Sequence, residues 1–244
     1  AETTKGDLVA TYFGGTKERN PDVCIWVSRK VKGSKEWTKP QMVADGIIND
    51  TLRKACWNPV VYQIPQGDLV IYFKIGSNVS DWSGWMVRSK DGGKTWSKRK
   101  PLQKDFLGPV KNKPVMSRGR LIAPSSIESN GWRLYFEYSD DMGKTWQRTD
   151  YVEADSITIE GKKKLKDLAI QPSIISLKDG RLAALARTRS EHIGITYSED
   201  NGKTWSKLKL INTPNNNSGL DAVTLSDGNH VLICNDKPIP NGIK

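Results

Sequence analysis

The sequence predicts an all-β protein built from repeated antiparallel units, the design of a β-propeller. One observation is a phrase that occurs three times: Ser89-Lys-Asp91-Gly-Gly93-Lys-Thr95-Trp96, Ser139-Asp-Asp141-Met-Gly143-Lys-Thr145-Trp146 and Ser198-Glu-Asp200-Asn-Gly202-Lys-Thr204-Trp205. The shared pattern is S-x-D-x-G-x-T-W, at spacings of 50 and 59 residues. Self-similarity at such a period marks a solenoid, a propeller or an array. The other observation is a second phrase in phase with the first, a Gly-led turn before an apolar run: Gly6-Asp-Leu-Val, Gly67-Asp-Leu-Val, Gly119-Arg-Leu-Ile, Gly180-Arg-Leu-Ala and Gly228-Asn-His-Val.

Each box follows a short run rich in aromatic and β-branched residues: Trp85-Met-Val-Arg-Ser89, Leu134-Tyr-Phe-Glu-Tyr138 and Ile193-Gly-Ile-Thr-Tyr197. Such runs suit strands and are too short for helices. A second extended stretch follows each box, so the box is expected to be a hairpin turn. Its Asp accepts hydrogen bonds from turn N–H groups, its Gly takes a positive φ, and its Trp packs the indole against a sheet. Asp91, Trp96, Asp141, Trp146, Asp200 and Trp205 are therefore assigned structural roles.

Four of the Gly turns are preceded by another strand-like run: Pro59-Val-Val-Tyr62, Pro114-Val-Met116, Pro172-Ser-Ile-Ile-Ser-Leu177 and Leu220-Asp-Ala-Val-Thr-Leu225. One unit is then strand, Gly turn, strand, loop, strand, box, strand, the four antiparallel strands of a propeller blade. A decayed box without its Asp stands at Ser28-Arg-Lys-Val-Lys-Gly33, with Trp37 behind it. The 244 residues hold about four such units, some partial. A ring must close to remove its edges, so the chain is expected to be incomplete at both ends.

Composition narrows the function classes. No apolar run is long enough to span a membrane as a helix, and no signal peptide is visible, which leaves the compartment open. Cys24, Cys56 and Cys234 lack metal-ligand spacing and suggest no disulfide framework. With His192 and His230 as the only histidines, no metal site and no cofactor is expected. The net charge of +11 raises a nucleic-acid reading. Yet many lysines sit at box positions (Lys94, Lys144, Lys203) or in surface loops such as residues 162–164, which read as solvated faces. A basic funnel that attracts an anionic sugar uses the same charge, so a glycan or small acidic sugar is the expected partner, and nucleic acid is not. Oligomeric state is not legible.

The repeats resemble the Asp boxes, or BNR repeats, of the sialidase (neuraminidase) superfamily, over essentially the whole chain. The stretches Phe13-Gly-Gly-Thr-Lys-Glu-Arg-Asn-Pro-Asp22, Cys56-Trp-Asn-Pro59, Gly108-Pro-Val-Lys-Asn-Lys-Pro114, Ile170-Gln-Pro172 and Asn217-Ser-Gly-Leu-Asp221 are similar to loops of its bacterial predicted-neuraminidase branch. The resemblance implies a six-bladed propeller of which residues 1–244, a single domain, supply roughly four blades. It places the site at a central funnel lined by innermost strands, away from the boxes.

The resemblance further implies three arginines on the sugar carboxylate, for which a planar guanidinium fork is suited. Arg187 matches the second, with Arg189 as the neighbouring candidate; the other two fall outside this sequence by position. Asp22 matches the acid/base, with Glu18 and Arg19 beside it. The family's nucleophilic Tyr is placed past Lys244, and its Glu partner corresponds to Gln171. A Gln cannot act as a base, though it can hydrogen-bond a sugar hydroxyl.

Repeat phase adds further candidates: Trp57 and Asn58, then Lys111, Asn112 and Lys113, then Asn217, Ser218 and Asp221. Lys74, Ser125 and Ser126 hold the strand-end position of Arg187. Trp57, Trp82 and Trp85 offer rings for sugar stacking, and the polar groups suit hydroxyls and carboxylates. Asp221 is an alternative carboxylate catalyst, paired with Asp22 if the two face each other. The expected function is a sialidase-like exo-glycoside hydrolase that removes a terminal acidic sugar. The alternatives are a non-catalytic carbohydrate-binding propeller and a sugar lyase on the same scaffold.

Overall fold

The computed structural model describes residues 1–129, 131–154, 157–159, 162–164 and 168–237. Those residues form strands and turns and no helix, so none of them offers a helix long and apolar enough to cross a membrane. Contacts divide the chain into two compact units, Ala1–Lys113 and Pro114–Lys244.

The first unit holds two sheets. One is β1 (Leu8–Gly14), β2 (Cys24–Lys30) and β3 (Gln41–Ala44); the other is β4 (Ala55–Gln63), β5 (Leu69–Gly76), β6 (Ser83–Ser89) and β7 (Lys100–Pro101). Neighbours in the chain are neighbours in the sheet, and every pairing is antiparallel. The second sheet is the four-stranded meander the repeat predicts. Alternate residues of β5, namely Leu69, Ile71, Phe73 and Ile75, meet Val9, Ile25, Val27, Cys56 and Val87 in one core. β5 is buried along its whole length while β7 is exposed, so its apolar run reads as a strand covered on both faces.

The second unit repeats the scheme. It contains β8 (Val115–Ser117), β9 (Arg120–Ile127), β10 (Arg133–Ser139) and β11 (Gln147–Arg148); then β12 (Ile157–Ile159) with β13 (Lys162–Lys164); then β14 (Ala169–Ser176), β15 (Leu182–Thr188), β16 (His192–Ser198) and β17 (Lys209–Pro214); and finally β18 (Asp221–Thr224) with β19 (His230–Ile233). Residues 162–164, read from sequence as a surface loop, pair with β12 as a strand. β15 shows why Leu-Ala-Ala-Leu-Ala is a central strand. Leu182, Ala184 and Ala186 join the core with Ile122, Leu134 and Phe136, while Ala183 and Leu185 join a second core with Leu220 and Ala222. Period-two alternation thus sends apolar side chains to both faces, and each large one contributes about 1.5–3 kcal/mol on burial.

The boxes are the predicted hairpin turns. In the first, Gly93 N–H donates to Ser89 Oγ at 2.7 Å, Ser89 Oγ donates to Asp91 Oδ1 at 2.8 Å, and the Lys94 and Thr95 amides donate to the same oxygen. Thr95 Oγ1 donates to Asp91 Oδ2 at 2.6 Å. The second and third boxes repeat these bonds through Asp141 and Asp200. The Thr hydroxyl, then the Thr amide, hold Asp91 and Asp141 well below the ordinary carboxylate range. Burial works against this at Asp200, yet the Thr204 amide and hydroxyl still keep it low. Gly202 sits at φ +85, and a Cβ there would come within 2.6 Å of Ile122 Cδ1, so both conformation and space demand glycine. Trp146 is buried, and Trp205 stacks on Phe136 with ring centroids 3.7 Å apart.

The decayed box keeps part of the device. Arg29 N–H donates to the Thr38 hydroxyl, as Arg88 N–H does to Ser97 and Tyr197 N–H to Ser206. The missing Asp is replaced from the preceding Gly turn. Asp7 accepts from the Lys32 amide and from the Arg29 guanidinium, each at 2.9 Å. Trp37, left without the full turn, is 47% exposed.

Candidate functional site

In each unit, candidate residues lie at strand ends where the backbone departs from regular geometry. In the first unit the β4–β5 register slips between Trp57 and Val60, and Asn58 takes φ 41. In the second the β14–β15 register slips between Ile170 and Ser173, and Gln171 takes φ 55. Each is a bulge at an amide residue preceding proline (Pro59, Pro172). The left-handed region is uncommon for any side-chain-bearing residue, and proline restricts its predecessor further. Bulges re-aim side chains beside active sites, and such outliers cost about 1–3 kcal/mol, held in place by their surroundings. The sequence placed both residues in the same repeat position; the structure adds their shared strain.

In the second unit Arg187 projects from β15, paired with Ile170 of β14. Its Nε donates to Asn217 Oδ1 at 3.0 Å, and its guanidinium lies 5.0 Å from the Trp132 ring centroid. Arg189 covers the same ring at 4.1 Å, so sequence neighbours share one aromatic platform. Burial lowers the Arg187 pKa; Glu128 works against that and Arg189 adds to it. Among the described residues its two Nη groups have no hydrogen-bond partner, which leaves the fork of the guanidinium open. Gln171 N–H donates to Ser126 Oγ at 3.1 Å, tying the β14 bulge to β9. Ser125 and Ser126 are buried.

Beside Arg187 runs Asn215-Asn-Asn-Ser218. Asn215 is fully buried, and its Oδ1 accepts from Ser218 N–H at 3.1 Å. Asn215 Nδ2, Asn216 Oδ1 and Ser218 Oγ are shielded polar atoms without a partner among the described residues. Such atoms are rare enough in folded proteins to call for an explanation. Asp221, at the head of β18, accepts from Ser173 Oγ at 2.7 Å and from Ala222 N–H at 2.8 Å, so it also braces β18 against β14.

In the first unit Asp22 closes the loop between β1 and β2. Its Oδ2 accepts from Thr16 N–H at 2.8 Å and from Thr16 Oγ1 at 2.5 Å, while its Oδ1 is shielded and unpartnered. The Thr16 hydroxyl, then the Thr16 amide, lower its pKa, so the group is an ionised carboxylate near neutral pH. Glu18 and Arg19 are exposed in the same loop, Arg19 at φ 76.

Trp57 and Lys74 are buried. Trp57 is 2% exposed; it packs with Val23, Ala55 and Trp82, and its Nε1 donates to Gly76 O at 2.8 Å. Lys74 is fully buried, with its Nζ donating to Pro109 O. Strand alternation explains the burial of Lys74: its neighbours Phe73 and Ile75 face one core, so Lys74 faces the other, equally buried side of β5. Asn112 is also buried and accepts from Lys111 Nζ at 3.1 Å, and Lys113 is half-buried. Trp85 carries Arg99 over its ring at 5.4 Å.

The sequence reading missed Trp132, Asn215, Asn216 and Thr16. The Asn run was visible as a polar cluster next to Asn217. Trp132 carried no repeat signal, because it lies in the loop before β10 where the units differ in length. Among the described residues no three His, Cys, Asp or Glu side chains cluster to hold a metal ion.

Comparison with known proteins identifies the family. The family model described as the BNR repeat-like domain matches residues 6–241. An anhydrosialidase from Macrobdella decora is 32% identical over 176 residues, 65% of this chain and 22% of its own length. A sialidase from Clostridium perfringens is 30% identical over 154 residues, 54% of this chain and 36% of its own length. The chain thus spans well under half the length of these relatives. In solved structures, the NanB sialidase of Streptococcus pneumoniae superposes with a TM-score of 0.76 at 14% identity, over 98% of this chain and 56% of that one. A leech intramolecular trans-sialidase superposes at 0.74 and 15% identity, over 97% of this chain and 55% of that one. At such identities these structures speak to fold alone. The repeats, the meander sheets and the family match agree: the chain belongs to the BNR repeat-like domain family of the sialidase superfamily.

Proposed function

We propose that this protein is a sialidase-like exo-acting glycoside hydrolase that removes a terminal acidic sugar, on a six-bladed propeller of which the chain supplies roughly four blades. The observation that carries the reading is Arg187. It is a half-buried guanidinium anchored through Nε by a neutral amide, with its Nη fork open and a lowered pKa. A carboxylate supplies the charge that burial and Arg189 make costly to leave uncompensated, and it pairs with the open fork bidentately.

Asp22 serves as acid/base. A general acid must carry a proton to the leaving oxygen, and here Thr16 holds the carboxylate ionised. Substrate that covers the loop raises the pKa by further desolvation, so protonation is coupled to binding. Gln171, strained at its bulge, binds a hydroxyl and carries no proton. That change from a carboxylate favours an acidic sugar other than the most familiar one, such as another 2-keto-3-deoxy acid or a uronic acid. Asn217, Ser218 and the shielded atoms of Asn215 and Asn216 meet the remaining hydroxyls.

Full-length protein screened against sialyl, other ulosonic and uronic acid glycosides tests this. Release of an acidic sugar that Asp22→Asn and Arg187→Ala both abolish is the expected outcome. Release that survives Asp22→Asn unchanged overturns the acid/base assignment. A second reading, a non-hydrolytic sugar-binding protein, is favoured by the ionised Asp22 and by Gln171 together. It is the outcome if acidic sugars bind through Arg187 and none is released.

A further inference from the structure

A cavity lies along β6 and β7 of the β4–β7 sheet, beside the first box turn. It measures about 440 Å³ and is lined by Asp68, Met86, Arg88, Lys90, Trp96 and Lys100, with the turn residues Thr95 and Ser97 at its margin. That volume suits a ring-sized ligand. Trp85 and Val87 of β6 turn into the core, so by strand alternation Met86 and Arg88 face the other way. Lys100 pairs with Met86 across the β6–β7 ladder and shares that face. Trp96 spans both environments: its indole packs against the core and also lines the cavity.

The charge here is in surplus. Three cations meet one carboxylate, and Arg88 Nη1 stands 3.8 Å from Asp68 Oδ2, beyond direct hydrogen-bond length. Among the described residues the ammonium groups of Lys90 and Lys100 make no hydrogen bond or ion pair. Two other cavities beside the sheets differ in this respect. The one at Trp205, about 260 Å³, balances Lys203 and Lys207 against Asp150 and Glu153. The one at Trp85 sets Lys98 and Arg99 against Asp45, and its Arg99 is already bound to Asp45 and to Ile47 O. Of these three, the cavity at Trp96 has the largest surplus of positive charge beside an aromatic face.

We propose that this cavity is a second carbohydrate subsite, which holds one sugar unit bearing a carboxylate or sulfate. The Trp96 face takes the C–H side of the pyranose ring, the Arg88 fork takes the anionic substituent, and Lys90 and Lys100 close over it. The subsite is independent of the Arg187 reading. Its effect is to tether an acidic glycan and raise its local concentration for any site elsewhere on the protein.

The test titrates the full-length protein with methyl glucuronide, N-acetylglucosamine 6-sulfate and neutral methyl glucoside, following the Trp96 indole N–H by NMR. Saturable shifts with both anionic sugars and none with the neutral one are expected. Binding weakens about tenfold, equivalent to ~1.4 kcal/mol, in Arg88→Ala/Lys100→Ala. It also weakens in Lys90→Ala/Lys100→Ala, whose exposed side chains carry no structural bond. A Lys35→Ala/Lys39→Ala control removes the same charge between β2 and β3 and leaves binding intact. No saturable shift, equal binding of the neutral sugar, or equal weakening in the control overturns the proposal. Tighter binding of a short oligothymidylate overturns it in favour of a nucleic-acid site. The response to one anionic sugar alone identifies carboxylate or sulfate as the group read.

Discussion

At Asp91 both carboxylate oxygens are filled by groups within four residues along the chain; at Asp22 one oxygen is filled by Thr16 and the other is shielded with no partner. The same contrast separates the box turns from the inner-strand ends generally. The boxes satisfy Ser, Asp, Gly and Thr in a closed local network and put positive φ on two consecutive turn residues: Gly92 and Gly93, Met142 and Gly143, Asn201 and Gly202. The inner ends put it on Asn58, Gln171 and Asn217 and leave polar atoms of Asn215, Asn216 and Ser218 unmatched. A buried polar group left unpaired costs roughly 1–3 kcal/mol. Two regions with similar residues therefore differ in how completely their polar groups are satisfied.

The largest expected effect is at Arg187. Arg187→Ala lowers kcat/KM for an acidic sugar glycoside by about 10²–10³-fold, ~3–4 kcal/mol, while the circular dichroism spectrum is retained. Equal loss on a neutral substrate breaks the comparison, because Arg187 would then act on structure.

Asp22 comes next. Asp22→Asn lowers kcat by about 10²-fold. Thr16→Val removes the hydroxyl donor, the larger of the two Thr16 contributions to the ionised form, so the Asp22 pKa rises and the acidic limb of the pH–rate profile moves toward neutral. In the unsubstituted protein, the lowered Asp22 pKa adds stability above the unfolded carboxylate value, and this is lost as pH falls through the folded value. An acidic limb that stays in place after Thr16→Val separates Asp22 from the reaction.

At the boxes the readout is stability. Ser89→Ala removes the acceptor of the buried Gly93 amide and costs roughly 1–2 kcal/mol, seen as a lower denaturation midpoint at unchanged kcat/KM. The three box aspartates have lowered pKa values, so their contribution is complete above the unfolded carboxylate value and fades as pH drops through the lower folded values. Asp91→Asn flattens that acid-side slope in melting experiments. A loss of activity with folding intact would bring the boxes into the chemistry.

The smallest effect has the opposite sign. Asn58→Gly relieves the φ 41 strain and raises stability by up to about 1 kcal/mol, while weakening sugar binding. Lower stability instead would show that the Asn58 side chain holds the bulge together.

How much of this is legible in the sequence follows the same division. The boxes were readable because their bonds lie within eight consecutive residues, so pattern and geometry are one thing. The central strands were readable because Leu182-Ala-Ala-Leu-Ala alternates into two cores. Arg187, Gln171 and Asn58 were reached by repeat phase and resemblance, but their environments were not. The Trp132 platform joins a loop to strand β15, 55 residues apart in the chain, and no spacing rule reports it. Trp57 and Lys74 show the limit: repeat phase placed them near a site, and only packing reveals that both are interior.

The bonds of each box span no more than four residues, and that has a consequence for the order of events as the chain folds. Closing so short a loop costs little chain entropy, and hairpins form in about 1–10 μs, before distant sheets can meet. Each meander thus starts with its outer turn in place. Ser89→Ala should then slow folding, its energetic cost appearing in the refolding arm of a chevron plot, whereas changes at the inner-strand ends should mainly alter unfolding.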